Sequence, residues 1–318
     1  MRITNNMVSD RVIADLQARY AAMADTQLQI STGKRVNQPS DDPTAAAQER
    51  LKTSELSGIK ASQSSVNSAQ TALNSSETAL EGVRSVLSRA NELALSAGNG
   101  TLSQDNRNAI ADEIDQLIKS AKDSMNTKVG NSYIFSGTKS DTAPYADATG
   151  DTFQGDDNAL LRDGGAGVVL QNNPSFVPVN GTPAGASTPL TAGSILGGGS
   201  ASGDGRVLDT LTQLSAHLRS GTTADMQAIQ SSDLKAIAAN QTAVSSAVSA
   251  IGAMSNRADA ALSRLTDLED TATQSIDDLT GVDLAKAITD YSAQSAAYQA
   301  SLKVGAQIIQ PSLLQFLS

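Results

Sequence analysis

A heptad pattern between residues 59 and 97 constrains the fold more than any other feature of the sequence. Apolar and small residues alternate there at spacings of three and four. The pattern comprises Ile59, Ser62, Val66, Ala69, Leu73, Ser76, Leu80, Val83, Leu87, Ala90, Ala94 and Ala97. Such spacing forms one stripe along a helix, and pairing large with small residues allows a second helix to pack closely. A helix from Pro43 to Ala97 would be about 80 Å long, so the pattern predicts a long helical rod.

The composition favours thin helical layers over a thick globular core. Aromatic residues make up only 3% of the 318 residues, and tryptophan is absent, although large aromatic side chains supply much of the burial in compact cores. The formal net charge of −10 disfavours nucleic acid as a partner. The absence of cysteine excludes disulfides and thiolate metal sites.

Two further absences bear on where the protein functions. No apolar run reaches the length needed to cross a bilayer, so membrane insertion is not expected. Residues 1–6 lack the apolar segment of a secretory signal peptide. If the protein is exported, export is therefore expected to proceed without a cleaved signal peptide.

The chain divides into helical arms and a middle segment of different composition. From Gly130 to Gly205, Gly, Pro, Asp, Asn and Thr cluster around short strand-like pieces. We therefore predict a mainly α fold, in which N- and C-terminal arms form a long antiparallel, coiled-coil-like helical rod with a small β-rich inserted domain. The predicted domains are a terminal helical assembly domain (1–42 with 281–318), a helical rod domain (43–130 with 206–280) and a β-rich outer domain (131–205).

Apolar stripes at both ends of the chain lack an obvious partner within their own segments. An isolated pair of helices with so few aromatics buries little surface and should be only marginally stable. We therefore predict that these stripes are assembly interfaces that become ordered when neighbouring subunits cover them. The predicted interface residues are Ile13, Leu16, Tyr20, Met23, Ile30, Leu284, Ile288, Tyr291, Tyr298, Leu302 and Ile309. A short apolar tail follows Pro311 and contains Leu313, Leu314, Phe316 and Leu317.

Asp42 and Pro43 form a predicted start signal for the long helix. A carboxylate can accept hydrogen bonds from the free N–H groups of a first helical turn, and proline at the first position sacrifices no hydrogen bond. This capping role also accounts for the Asp41-Asp42 pair without a metal ion.

The sequence lacks the residue patterns that usually carry catalysis. His217 is the single histidine, and we expect it to have a surface or packing role, because a two-histidine zinc site is excluded. Gly33-Lys34 lacks the remainder of a phosphate-binding loop. Asp156-Asp157 could ligate calcium but is more simply a turn, and the sequence leaves this choice open. No enzymatic activity and no cofactor are predicted.

Three stretches carry a resemblance to a known family. The first is Leu28-Gln29-Ile30-Ser31-Thr32-Gly33-Lys34-Arg35-Val36-Asn37-Gln38-Pro39-Ser40-Asp41-Asp42-Pro43. The second is Ser132-Tyr133-Ile134-Phe135-Ser136-Gly137-Thr138-Lys139. The third runs from Tyr298-Gln299-Ala300-Ser301-Leu302 to the tail at 313–317. In combination they resemble flagellar hook–filament junction proteins, the hook-associated protein 3 family, which are relatives of flagellin.

The resemblance implies a structural role in the bacterial flagellum, outside the cell. It implies a homo-oligomeric ring that joins hook to filament, after export through the flagellar type III channel. The implied partners are the preceding hook-associated protein, flagellin and a cytoplasmic export chaperone. The insert from about residue 142 to 203 is not part of the resemblance.

Two other functions remain open from the sequence. A flagellin filament subunit is the first, although Ser40-Asp41-Asp42-Pro43 and the terminal Phe316-Leu317-Ser318 differ from the corresponding flagellin patterns. A secreted binding module that uses the insert to bind a carbohydrate or host ligand is the second, although no cluster of exposed aromatics favours it.

Overall fold

The computed structural model describes residues 5–98, 102–146, 152–163, 165, 169–176, 187–200 and 202–309. Long helices dominate these residues. In chain order the helices are α1 (Asn5–Thr32), α2 (Pro43–Gly98), α3 (Gln104–Met125), α4 (Ala192–Leu196), α5 (Val207–Ser220), α6 (Thr223–Ala228), α7 (Leu234–Thr280) and α8 (Leu284–Ile309). A π-helical turn, Ile229–Asp233, joins α6 to α7.

Within the described residues, the strands are short and form three separate antiparallel pairs, which we call hairpins. Each hairpin pairs two strands of two or three residues. They are β1 (Lys128–Val129) with β2 (Ser132–Tyr133), β3 (Leu161–Asp163) with β4 (Val169–Gln171), and β5 (Ser175–Phe176) with β6 (Thr188–Pro189). The prediction of a mainly α fold with a small β-containing insert is confirmed.

The chain separates into two compact units. The first contains residues 1–58 and 267–318, and the second contains residues 59–266. Both α2 and α7 contribute residues to each unit, so these divisions fall inside helices. The three-domain division with boundaries at residues 42, 130, 205 and 280 stays a prediction.

The heptad stripe on α2 forms the core of the second unit. From Val66 to Ala97 every member of the stripe is buried. The Gln70 side chain hydrogen-bonds to Ser255, and Gln230 donates to the Gly98 carbonyl; α7 therefore runs antiparallel to α2. On α3, Ser124 approaches Gly82 so closely that a Cβ there would lie 2.8 Å from the serine Oγ. Small residues along α2 thus allow neighbouring helices to approach it closely, as the large-and-small pattern predicts.

The insert shares its hydrophobic core with the helices. Phe135, Tyr145 and Phe176 are buried in one continuous cluster with side chains of α2, α3 and α5. Asn126, which ends α3, donates from Nδ2 to the Tyr145 carbonyl over 2.8 Å and accepts from the Tyr145 N–H over 3.0 Å. Burial raises the pKa of the Tyr145 phenol, whose hydroxyl donates to the Ala192 carbonyl. The insert is consequently anchored to the helices by its few aromatic residues.

Candidate assembly surface

In the first unit, α1 and α8 form an antiparallel pair. Thr26 Oγ1 donates to Gln294 Oε1 over 3.0 Å near one end. Near the other end, a Cβ added to Gly305 would lie 3.1 Å from Val12 Cγ1. The two helices therefore pack tightly at Gly305, where a larger residue would push them apart.

The α1–α8 contact is made mostly by small and polar side chains. The inward-facing residues of α1 are Val12, Leu16, Met23, Thr26 and Ile30. Those of α8 are Ala287, Tyr291, Gln294, Tyr298, Ser301 and Gly305. The α8 set alternates spacings of four and three, and the α1 set keeps the same periodicity apart from one gap of seven between Leu16 and Met23, which is the geometry of a coiled-coil seam. Because few of these side chains are large, the seam buries little apolar surface, and most of them remain only half-buried.

One position further along each helix, the side chains are larger and lie on the surface. Ile13 is 46% exposed and Tyr20 is 58% exposed on α1, and Ile288 is 54% exposed and Leu302 is 44% exposed on α8. In an antiparallel helix pair the positions that follow the seam on both helices share one face. We call Ile13, Tyr20, Ile288 and Leu302 the apolar face. All four are large apolar side chains that the described residues of the isolated chain leave exposed.

The apolar face contains a shallow groove. Ile13, Leu16, Gln17, Tyr20 and Tyr298 line a space of about 350 Å³. The rings of Tyr20 and Tyr298 lie 6.0 Å apart between centroids with an interplanar angle of 47°, which is a favourable tilted arrangement. The two rings thus form a preorganised wall against which an apolar side chain could pack.

The loop between α1 and α2 connects the helix pair to the start of α8. The Arg35 N–H donates to the Thr280 carbonyl over 2.6 Å, and the Val282 N–H donates to the Gly33 carbonyl over 3.1 Å. Gly33 adopts a φ of 70°, a left-handed conformation that suits glycine at the end of α1. These bonds fix where α8 begins relative to the end of α1, and so set the register of the pair.

Asp42 accepts hydrogen bonds from the first turn of α2. Its Oδ1 accepts from the Thr44 N–H over 3.2 Å and from the Ala45 N–H over 3.0 Å, while Pro43 is the first residue of the helix. The hydrogen bond from Ala45 and the charge of Arg35, whose Nη2 lies 3.5 Å from Oδ2, lower the pKa of Asp42. The carboxylate therefore joins the loop to the first turn of α2.

We expect Asp42→Ala to lower the melting temperature of the first unit by about 4 °C, because two N–H groups lose their acceptor. Asp42→Asn, which keeps a capping oxygen, should melt within about 1 °C of the unchanged protein. Circular dichroism melts at pH 7 measure both variants. The pKa of Asp42 is lowered in the folded protein. The difference in melting temperature between the alanine variant and the unchanged protein should therefore shrink as the pH falls below about 3.9. Equal melting of both variants at pH 7 would contradict the capping role.

The predicted interface residues fall into three groups. Leu16, Met23, Ile30, Tyr291 and Tyr298 are half-buried within the helix pair. Ile13, Tyr20, Leu284, Ile288 and Leu302 are exposed. The side chain of Ile309 and the tail residues Leu313, Leu314, Phe316 and Leu317 lie outside the described residues. The assembly role of the whole set stays a prediction. Thr26 and Gln294, whose side chains join the helices, were missed because apolar periodicity gives no weight to polar residues.

The carboxylates considered for metal binding have structural partners. Asp156 accepts from the Thr138 N–H over 2.9 Å and from Thr138 Oγ1 over 2.6 Å, which joins two segments that lie 18 residues apart. Asp157 accepts from Thr191, the residue that caps α4. Within the ranges that the structure describes, no group of three or more His, Asp or Glu side chains is arranged to hold a metal ion.

His217 joins α5 to the π-helical turn. Its Nδ1 lies 2.7 Å from Oδ2 of the buried Asp233, and its Nε2 lies 4.0 Å from Asp225 Oδ1. The Asp233 carboxylate accepts a hydrogen bond from Nδ1–H, whereas Asp225 lies beyond hydrogen-bonding distance. The contact supports a packing role for His217, since it ties two neighbouring segments of the second unit together.

Among the described helices, none contains a stretch both long enough and apolar enough to cross a membrane. The α1–α8 seam, which is polar and buries little apolar surface, and the uncovered apolar face beside it are typical of a subunit that associates with others through its terminal helices.

Comparisons with known proteins point to one family. The model of the bacterial flagellin N-terminal helical region matches residues 3–140, and that of the bacterial flagellin C-terminal helical region matches residues 234–317. Together these two models cover well over half of the chain. The protein therefore belongs to the bacterial flagellin family.

Two curated relatives and one solved structure show similarity to flagellar hook-associated proteins in particular. The chain is 32% identical over 155 residues to flagellar hook-associated protein 3 of Salmonella typhimurium, and 33% identical over 158 residues to flagellar hook-associated protein 3 of Escherichia coli K12. Each match covers 47% of this chain and 48% of the relative, so the similarity spans about half the length of these proteins. A structure from Vibrio parahaemolyticus, assigned as a flagellar hook-associated protein, superposes with a TM-score of 0.64 at 25% identity, covering 76% of this chain and 100% of that one.

Proposed function

We propose that this protein is a structural subunit of the bacterial flagellum that forms the junction between hook and filament. The observation that carries this proposal is the apolar face on α1 and α8, which the isolated chain leaves uncovered. Packing of the terminal helices with neighbouring subunits would bury that face and order the ends of the chain. The two curated relatives that share about half their length with this chain are both named flagellar hook-associated protein 3, and this favours the junction over the filament.

The same proposal specifies the assembly and its partners. Identical subunits form a ring, with the preceding hook-associated protein on one side and flagellin on the other. The subunit reaches this place outside the cell by flagellar type III export without a cleaved signal peptide, and a cytoplasmic chaperone covers α8 before export. The exposed apolar residues of α8 support the chaperone step, because an unassembled helix with Ile288 and Leu302 on its surface is prone to association.

The proposed role is mechanical and involves no catalysis. The side chains considered for catalysis or metal binding are His217, Asp156 and Asp157. Each of them makes contacts that hold the fold together. A flagellin filament subunit is the alternative within the same family, since the two family models match flagellins in general.

A deletion strain tests the proposal. Cells that lack this protein should assemble hooks but carry no attached filaments, and flagellin should accumulate in the medium. A plasmid copy of the unchanged protein should restore attached filaments. Electron microscopy of the cells and immunoblots of the medium provide the readouts. Attached filaments in the deletion strain would refute the junction role, and so would a strain that lacks hooks.

A further inference from the structure

The apolar tail that follows α8 needs a surface to pack against. Residues 310–318 lie outside the described residues. From Val304 to Ser318 the sequence contains no charged residue, and within 313–317 only Gln315 is polar. Exposure of such a segment to water is unfavourable, so an apolar surface within its reach would stabilise it.

Pro311 allows the chain to change direction after α8. Proline lacks the N–H that would continue a helix, and its ring disfavours a helical conformation in the residue before it. The last residue of α8 is Ile309, two positions before this proline. The chain that follows can therefore turn back along the helix pair.

The shallow groove on the apolar face lies within reach of the tail. We call it the tyrosine groove; it is lined by Ile13, Leu16, Gln17, Tyr20 and Tyr298. Because Gly305 lies beside Val12 in the antiparallel pair, α8 ends about one helical turn beyond Val12. Measured back along α1 from that level, the groove extends from about 7 to about 18 Å. A segment the length of 310–318 can span up to about 30 Å, so it can reach the whole groove.

The tyrosine groove matches the tail in chemistry. No charged residue is among the described residues that line it, and its volume is about 350 Å³. The groove on the opposite face of the helix pair differs, because it is lined by four alanines together with Arg19 and Gln294. Large aliphatic and aromatic walls offer the Leu and Phe side chains of the tail more apolar surface than alanines do.

We propose that the apolar tail folds back in the unassembled chain and packs Leu and Phe side chains into the tyrosine groove of the same chain. A short tether gives the tail an effective concentration of the order of millimolar, about a thousandfold above that of another copy's tail at 1 µM protein. The groove is therefore occupied from within the chain. The contact covers Ile13 and Tyr20, and it leaves Ile288 and Leu302 exposed. Since it concerns a single chain, it holds or fails independently of the proposed junction role.

Disulfide trapping in the full-length protein tests this contact, because the natural chain contains no cysteine. One double variant combines Gln17→Cys, in the tyrosine groove, with Gln315→Cys in the tail. The matched control combines Ala18→Cys with Gln315→Cys. Ala18 is the next residue of α1 but lines the groove on the opposite face. Under mild oxidation at about 1 µM protein, the intramolecular disulfide should form about tenfold faster in the Gln17 pair than in the Ala18 pair.

Non-reducing gels and mass spectrometry measure the two rates, and circular dichroism checks that both double variants keep their helix content. Adding Phe316→Ser to each pair should bring the two rates to within about twofold of each other, because the tail loses its largest apolar side chain. Equal rates with Phe316 intact, or no disulfide in either pair, would overturn the proposal. Disulfide-linked dimers of the Gln17 pair at this concentration would assign the groove to the tail of a second copy and would also overturn it.

Discussion

A variant with Ile13→Asp, Ile288→Asp and Leu302→Asp should fold as a monomer but should fail to support attached filaments. These side chains are already about half exposed in the isolated chain, so a polar replacement removes little intramolecular packing. In the assembly each aspartate would be buried without a partner, which is strongly unfavourable. Even one such charge per subunit should reduce incorporation about a hundredfold, and the defect recurs at every subunit.

Three measurements separate an assembly defect from other defects. Circular dichroism should show a helix content like that of the unchanged protein, because the α2–α7 core lacks these residues. Immunoblots of the medium should detect the variant, which shows that export continues. Electron microscopy should show hooks without filaments. Intracellular retention of the variant would instead indicate an export defect. Normal filaments would show that the apolar face does not contribute to the assembly contacts.

The matched control is Leu161→Asp on β3. Leu161 is 61% exposed, but it lies on the insert and not on the terminal helices. If exposed apolar residues were generally needed for solubility or export, this variant would show the same defect. We expect it to support attached filaments, because the proposed contacts involve α1 and α8.

The α2 stripe could be predicted residue by residue because all of its residues pack against neighbouring helices of the same chain. From Val66 to Ala97 the stripe is buried against neighbouring helices, and the alternation of large and small side chains has one physical cause. Hydrophobic periodicity then reports burial directly.

The terminal helices could be predicted only in part because two stripes overlap on them. On α1 the seam with α8 contains Val12 and Thr26, whereas the predicted set contains Ile13, one position after Val12, and omits Thr26. The apolar residues were assigned to one stripe, although some face α8 and others face away. When a helix carries an intramolecular seam and an exposed apolar face that are offset by one residue, apolar spacing alone cannot show which residues belong to which.

The strands and turns of the insert could not be predicted, for a different reason. Its strands contain two or three residues, and strands this short cannot show a recognisable hydrophobic alternation. Side chains determine its turns, including Asn173, which pairs with Leu160 and Asn158, and Asp156, which pairs with Thr138. Such pairings depend on residues far apart in sequence, and no local pattern reports them.

Amide hydrogen exchange should separate the terminal helices from the α2 core. In the free monomer, α1 and α8 should exchange rapidly, because their seam is built around Thr26, Gln294 and Gly305 and buries few large side chains. Amides between Val66 and Ala97 should exchange slowly, because every stripe residue in that segment is buried. Local opening energies range from near zero at weakly packed helices to the global value in such cores.

Assembly should slow exchange in α1 and α8 about a thousandfold. Covering the four half-exposed side chains of the apolar face should contribute about 1 kcal/mol each, and about 4 kcal/mol corresponds to about a thousandfold in the opening equilibrium. The comparison requires free monomer and purified hook–filament complexes, with the Val66–Ala97 segment as the internal control. Equal protection of α1 and α8 in both states would contradict folding on assembly, even if the aspartate variants fail to incorporate. That combination would mean that the helix pair is already rigid and that the apolar face acts only as a docking surface.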